Sequence, residues 1–221
     1  MQRPDAVFPI QPEAPAAIES RALGTLAYIR ASIESSSSMD VPGMAGIVMG
    51  VIGMLTALAV SMPQMAPHWL AVWLMAAALA LALGGASVAR QIVRRGRSRY
   101  LGPTRKFLLC LCPALLAGAA LTSVFANAGT VNFIPGTWLL LYGCAVLSAS
   151  TVTTPGIARL ICIMGALFVA LGSLTFALPA AAHTLMLGLG FGVLHIVFGI
   201  LIGRLRPGVG RWHDVGRPNA S

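Results

Sequence analysis

Hydrophobic and polar positions fall along this chain in two unlike patterns. Between residues 16 and 35, Ile18, Ala22, Leu26, Ile29 and Ile33 recur at intervals of four, four, three and four. That spacing sets them on one stripe of an α-helix. Arg21, Thr25, Arg30 and Glu34 lie mostly away from the stripe. A helix this polar cannot span a bilayer, so the pattern predicts an amphipathic element on a membrane face or beneath a bundle. From residue 41 the pattern changes. Six stretches, 41–61, 69–89, 107–126, 136–153, 157–178 and 184–203, are apolar on every side, and Arg159 is the one Asp, Glu, Lys or Arg inside them. Each is near the length of about 20 residues that a helix needs to cross the hydrocarbon core.

The connections are short and carry helix breakers: Pro63 and Pro67 in 62–68, Gly129 and Pro135 in 127–135, Pro155 in 154–156, Pro179 in 178–183. Short links make successive helices antiparallel neighbours. The expected fold is all-α: a polytopic membrane protein with six transmembrane helices as three antiparallel hairpins, preceded by an N-terminal amphipathic surface helix. The expected organisation is a cytoplasmic N-terminal segment at 1–40, a transmembrane domain at 41–204 and a basic cytoplasmic tail at 205–221. Asp40 offers an N-cap for the first span, with Pro42 in its first turn. No early apolar run ends in a small-residue cleavage site, so no signal peptide is expected.

Composition agrees with lipid as the solvent. The 221 residues are 57% hydrophobic and 10% charged, against about a quarter charged in soluble domains. The net charge of +9 raises nucleic acid as a partner. The basic residues instead sit in short runs beside apolar stretches, where membrane topology places them, and no groove-binding module is present. All 15 Lys and Arg fall before the first span, between the second and third, at the fourth-to-fifth turn, or after the sixth. Excess Lys and Arg marks the cytoplasmic side, which places both termini there. The run from Arg90 to Lys106, read as a loop, sets topology and could also hold anionic lipid headgroups.

Candidate chemistry is sparse. In the last span Gly188, Gly192, His195 and Gly199 are spaced four, three and four and share a helical face on which a neighbour can approach closely. Gly46 and Gly50 make a similar face on the first span. An ionisable group in mid-membrane is a functional candidate, so His195 could relay a proton, ligate a cofactor or contact a substrate. The alternative is a neutral imidazole bonded across a helix interface, to Tyr142, Ser148, Thr122 or Ser173. Met62, Met65 and His68, at intervals of three in an outer loop, offer soft sulfur and imidazole suited to copper(I), or serve only as boundary residues beside Trp69 and Trp73. Cys110, Cys112, Cys144 and Cys162 lie in apolar segments and read as small packing residues. Pro113 is expected to kink the third span, and Ser148, Ser150, Thr151, Thr153 and Thr154 to bond their own helix backbone, the alternative being that they line a polar vestibule. No H-E-x-x-H, G-x-S-x-G or phosphate loop occurs, and the six acidic residues all fall outside the spans.

Tyr28-Ile-Arg30 with Ile33-Glu34, Val41-Pro-Gly43 and Met49-Gly50, the run 135–143 and the run 191–199 resemble an uncharacterised family of bacterial six-helix membrane proteins, over most of 28–204. The resemblance implies a bacterial inner-membrane location and supplies no activity or cofactor. The expected function is a non-enzymatic membrane partner, sensor or regulatory component. The rival is a small-molecule carrier or intramembrane cofactor protein built on His195. Expected partners are the lipid bilayer, another membrane or cytoplasmic protein, or a second copy of the chain.

Overall fold

The computed structural model describes residues 23–26, 28–29, 41–95 and 97–205, and among them there is no β-strand. Residues 23–26 and 28–29 belong to a unit of their own, within residues 1–37. They are helical and exposed. The rest of the predicted amphipathic stripe (Ile18, Ala22 and Ile33), the Asp40 cap and the tail from residue 206 lie outside the described residues.

Among the described residues, the second unit holds six helical spans long and apolar enough to cross a membrane. They are α1 (Gly43–Val60), α2 (Trp69–Arg95), α3 (Arg97–Asn127), α4 (Ile134–Ser150), α5 (Pro155–Ala177) and a composite last span, Ala180–Leu205. The last span runs through α6 (His183–Leu187), a π-helical segment (Gly188–Leu194) and α7 (His195–Leu205). Helices are the expected answer in a solvent that cannot hydrogen-bond a backbone. Two prolines sit where a missing N–H costs nothing. Pro155 opens α5, and Pro135 is in the first turn of α4, positions where the N–H has no intrahelical partner. At the other end of α3, Gly129 takes φ +70°, and the Thr130 N–H bonds the Phe125 carbonyl at 2.9 Å, closing the helix by a left-handed glycine cap.

One expectation is corrected. Residues 90–106 are not a loop: α2 continues to Arg95, and α3 is already helical from Arg97. Hydropathy ends at the membrane boundary, but a helix need not. Arg, Gln and Leu are good helix formers, and beyond the hydrocarbon the backbone gains nothing by unwinding. At 31 residues, α3 is about 46 Å long, against a core of about 30 Å. Both Pro103 and Pro113 lie inside it.

Two close helix contacts hold the bundle. In the first, α1 lies on the last span. A Cβ placed on Gly50 would sit 2.7 Å from the Gly192 carbonyl oxygen, one on Gly46 3.3 Å from the Gly199 Cα, and one on Gly199 2.8 Å from the Ile47 nitrogen. The predicted glycine faces therefore meet each other. The second contact, α4 on α5, joins neighbours that the short 154–156 link predicts, but its close glycine packing was not foreseen. A Cβ on Gly143 would lie 2.8 Å from the Val169 nitrogen, and one on Gly172 2.7 Å from the Leu140 nitrogen. Lipid tails are as apolar as leucine, so backbone proximity of this kind, rather than hydrophobic burial, drives association in a bilayer. By contrast, only 6% of the α2 window and 11% of the α3 window are buried, against 50% for α4 and for the last span. A tight set of α1, α4, α5 and the last span is thus flanked by two loosely covered helices. Hydroxyls in the spans mostly bond their own helix: Ser148 to the Cys144 carbonyl, Ser150 to Leu147, Thr151 to Ser148, Thr153 to Ala149, Ser173 to Val169.

Candidate functional site

The site begins with the irregularity in the last span. Gly188, Gly190 and Gly192 punctuate the π-helical segment, and glycine lowers helix stability enough to let the wider turn form. A π segment inserts an extra residue per turn and recurs at functional sites. Its immediate effect here is on His195, the first residue of α7. Nδ1 lies 3.4 Å from the Gly190 carbonyl oxygen, five residues back, and Nε2 lies 2.7 Å from the hydroxyl of Tyr142 on α4. A carbonyl oxygen can only accept, so Nδ1 carries the proton. In a neutral ring Nε2 is then the acceptor, and the Tyr142 O–H donates to it. Both nitrogens are engaged, and 4% of the His195 surface is exposed. Of the partners expected for His195, the structure selects Tyr142. Ser148 and Ser173 bond their own helices, and Thr122 has another partner.

Aromatic rings fix this pair in place. Tyr142 packs on Phe168 with centroids 4.8 Å apart and edge-on against Phe191 at 5.3 Å. His195 packs on Phe168 at 5.4 Å and on Phe191 at 6.2 Å. Phe168 is fully buried. Two phenyl rings thus flank the hydrogen-bonded pair, in arrangements typical of favourable aromatic pairs.

Beside the pair is a cavity of about 370 Å³, bounded by α1, α2, α3, α4, the π-helical segment and α7. Tyr142 and His195 both line it. Its α2 and α3 walls are made largely of small residues, Ala76, Ala77, Ala80, Ala114, Gly118 and Ala119. These side chains are too short to fill the gap to the tight part of the bundle, so the space is a consequence of the sequence. Leu74, Leu81 and Leu115 also line it and are exposed, so the wall built by α2 and α3 is not sealed. Three further polar side chains belong to the lining. The Trp138 indole N–H donates to the Thr122 hydroxyl at 2.8 Å, and Thr122 donates to the Gly118 carbonyl. The Trp73 indole N–H is buried without a hydrogen-bond partner. A mainly apolar hollow of about 300 to 1,000 Å³, with a few convergent polar groups, is the usual form of a small-molecule site.

The Thr122 bridge is testable. Thr122→Val keeps the shape and strands the Trp138 N–H, so stability should fall by about 1 kcal/mol, read as a lower thermal midpoint in detergent. An unchanged midpoint would mean the bridge is not formed.

The other candidates are placed apart from the cavity. Met62 and Met65 are exposed at the far end of α1, and His68 closes a short 3₁₀ turn before α2. Among the described residues no three His, Cys, Asp or Glu side chains gather to hold a metal ion. His183 is tied to the Leu178 carbonyl at 3.2 Å. The four cysteines are free. Gly188 meets the Ala57 side chain, so it belongs to the packing face rather than the cavity. Trp73, Trp138, Phe168 and Phe191 escaped sequence reasoning as site residues, and Thr122 was named only as a partner for His195. The available signal was the alanine-rich face of the second and third spans, which left room opposite large side chains. No family model matches the chain, and no curated protein or solved structure matches it.

Proposed function

We propose that this chain is a multi-pass bacterial inner-membrane protein that binds a small, largely apolar molecule inside the bilayer, as a non-enzymatic sensor or carrier. The observation that supports this reading is the cavity of about 370 Å³ bordered by the Tyr142–His195 pair. Access from the lipid through the loosely covered α2 and α3 side would suit such a ligand, which partitions into the bilayer before it binds. The six spans are read as three antiparallel hairpins with both termini in the cytoplasm, because all Lys and Arg then fall on one side. On that reading the basic ends of α2 and α3, the tail and the N-terminal amphipathic helix share the cytoplasmic face. They would carry the contacts to a partner protein or to anionic lipid. His195 is a binding-site residue here rather than a relay: its nitrogens are both engaged, and no carboxylate is present among the residues lining the cavity.

The test is a native mass spectrum of the protein gently extracted from its own membrane, beside the variant Gly118→Leu. A Cβ on Gly118 would make only ordinary contact, 3.7 Å from Leu141, so the larger side chain grows into the cavity without forcing helices apart. The wild type should carry a stoichiometric added mass, and the variant should lose it by at least about tenfold, since each misplaced methylene in an apolar pocket costs that much or more. A bare polypeptide, or bulk phospholipid retained equally by both, would overturn the reading.

A further inference from the structure

The hydrogen-bond polarity of the site narrows its ligand. Tyr142 has one proton to give. The Gly190 carbonyl fixes the His195 tautomer, and that tautomer takes the Tyr142 proton at Nε2. What Tyr142 retains is lone-pair capacity on its oxygen, so it can accept but no longer donate. Trp73 has the opposite need. It lines the same cavity, packs on Phe191 with centroids 6.3 Å apart as Tyr142 does at 5.3 Å, and its buried N–H has no acceptor. An unmet donor buried in an apolar site costs about 1–3 kcal/mol, which a bound acceptor would relieve.

We infer that the cavity takes an uncharged, apolar molecule whose single polar head is a hydroxyl, an alcohol or a phenol. This rests on the cavity being the ligand site proposed above. A hydroxyl is the smallest group that offers a proton to the Tyr142 oxygen and accepts one from the Trp73 indole, once that ring turns its covered N–H toward the cavity. A ketone or an ether can serve Trp73 but meets the Tyr142 oxygen lone pair to lone pair. A carboxylate or an ammonium would be buried without a counter-charge, because among the described residues no Asp, Glu, Lys or Arg lines the cavity, and unpaired charge in such surroundings is expensive. The wall of alanines and leucines takes the body of the molecule, and the aromatic end takes the head.

The test uses two rigid probes of matched body, 4-phenylphenol and 4-acetylbiphenyl, with the full chain in nanodiscs. Retention is measured by equilibrium dialysis against empty nanodiscs of the same lipid. The phenol should bind at least about tenfold more tightly than the ketone, the worth of one buried hydrogen bond plus the avoided repulsion. The variant His195→Leu removes the acceptor of the Tyr142 proton and frees that proton for a ligand. The ketone should then gain at least about fivefold, and the preference should shrink or reverse. Equal binding of both probes by the wild type would overturn the hydroxyl assignment and leave the cavity as a site for apolar bodies. If neither probe is retained above empty nanodiscs, the cavity reading falls with it. Should His195→Leu fail to fold, the wild-type ratio alone decides.

Discussion

Gly143→Ala lowers the stability of the folded bundle by about 1–3 kcal/mol, while Gly118→Ala leaves it the same or slightly higher. Both substitutions add one methyl group to a glycine in a span, and both improve helix propensity. They differ in what the methyl meets. At Gly143 the new carbon would lie 2.8 Å from the Val169 nitrogen and 2.9 Å from the Gly165 oxygen, and the reciprocal site is as tight, with Gly165 facing the Leu147 nitrogen at 2.8 Å. Backbone cannot swing aside as the end of a side chain can. α4 and α5 must separate by several tenths of an ångström, and the loss spreads along their whole contact. At Gly118 the nearest atom is a leucine methyl at 3.7 Å, an ordinary contact on a cavity wall. The measurement is unfolding in mixed micelles with increasing SDS, read by circular dichroism. Equal midpoints for the two variants would mean that the α4–α5 contact is not as close as described.

Gly143 and Gly118 also differ from the rest of the molecule in how legible they were in the sequence. The six spans could be read because an apolar run of bilayer length fits little besides a membrane-crossing helix, and their ends shifted by only a few residues where proline opens a helix. The glycine face of α1 on the last span was legible because Gly46, Gly50, Gly192 and Gly199 are spaced at helical intervals. Gly143 and Gly165 went unread although Gly136 and Gly172 lie seven residues away on the same faces, because that spacing is wider than the steps of three and four on the last span and the partner is on another helix. The π-helical segment was equally hidden. A regular helix would set Gly188, Gly192, His195 and Gly199 on one face. The wider turn instead lets the His195 ring reach back to the Gly190 carbonyl while the glycines stay on α1. The pairing of His195 with Tyr142 was one of four partners named. Choosing among them needed the third dimension, since Ser148, Ser173 and Thr122 are all polar and differ only in what their own helices offer. The cavity was illegible for the same reason: alanine in a span is commonplace until large side chains fail to cover it. The helical course of 90–106 was missed because hydropathy reports where lipid ends, not where a helix does.

Removing both members of the Tyr142–His195 pair costs less than the sum of removing each. His195→Leu strands the Tyr142 hydroxyl proton, and Tyr142→Phe strands the His195 Nε2 lone pair. A buried group deprived of its partner costs about 1–3 kcal/mol. The double variant leaves neither orphan, so its loss should fall short of the sum by the coupling energy, about 0.6 to 1.7 kcal/mol for a hydrogen bond between helices in a membrane. The Gly190 carbonyl loses its contact with Nδ1 in both variants that lack His195, so that loss cancels in the cycle. Packing does not cancel so cleanly, because both side chains touch Phe168 and Phe191. Gauging that part calls for a second cycle on Tyr142 and Phe168, which share a ring contact at 4.8 Å and no hydrogen bond. A coupling larger in the first cycle than in the second assigns the difference to the 2.7 Å bond. Additivity within about 0.3–0.5 kcal/mol in the first would mean that the bond contributes nothing to holding α4 on the last span. In that case the Tyr142 proton would not be committed to His195, and the acceptor-only character of the cavity head would lose its basis.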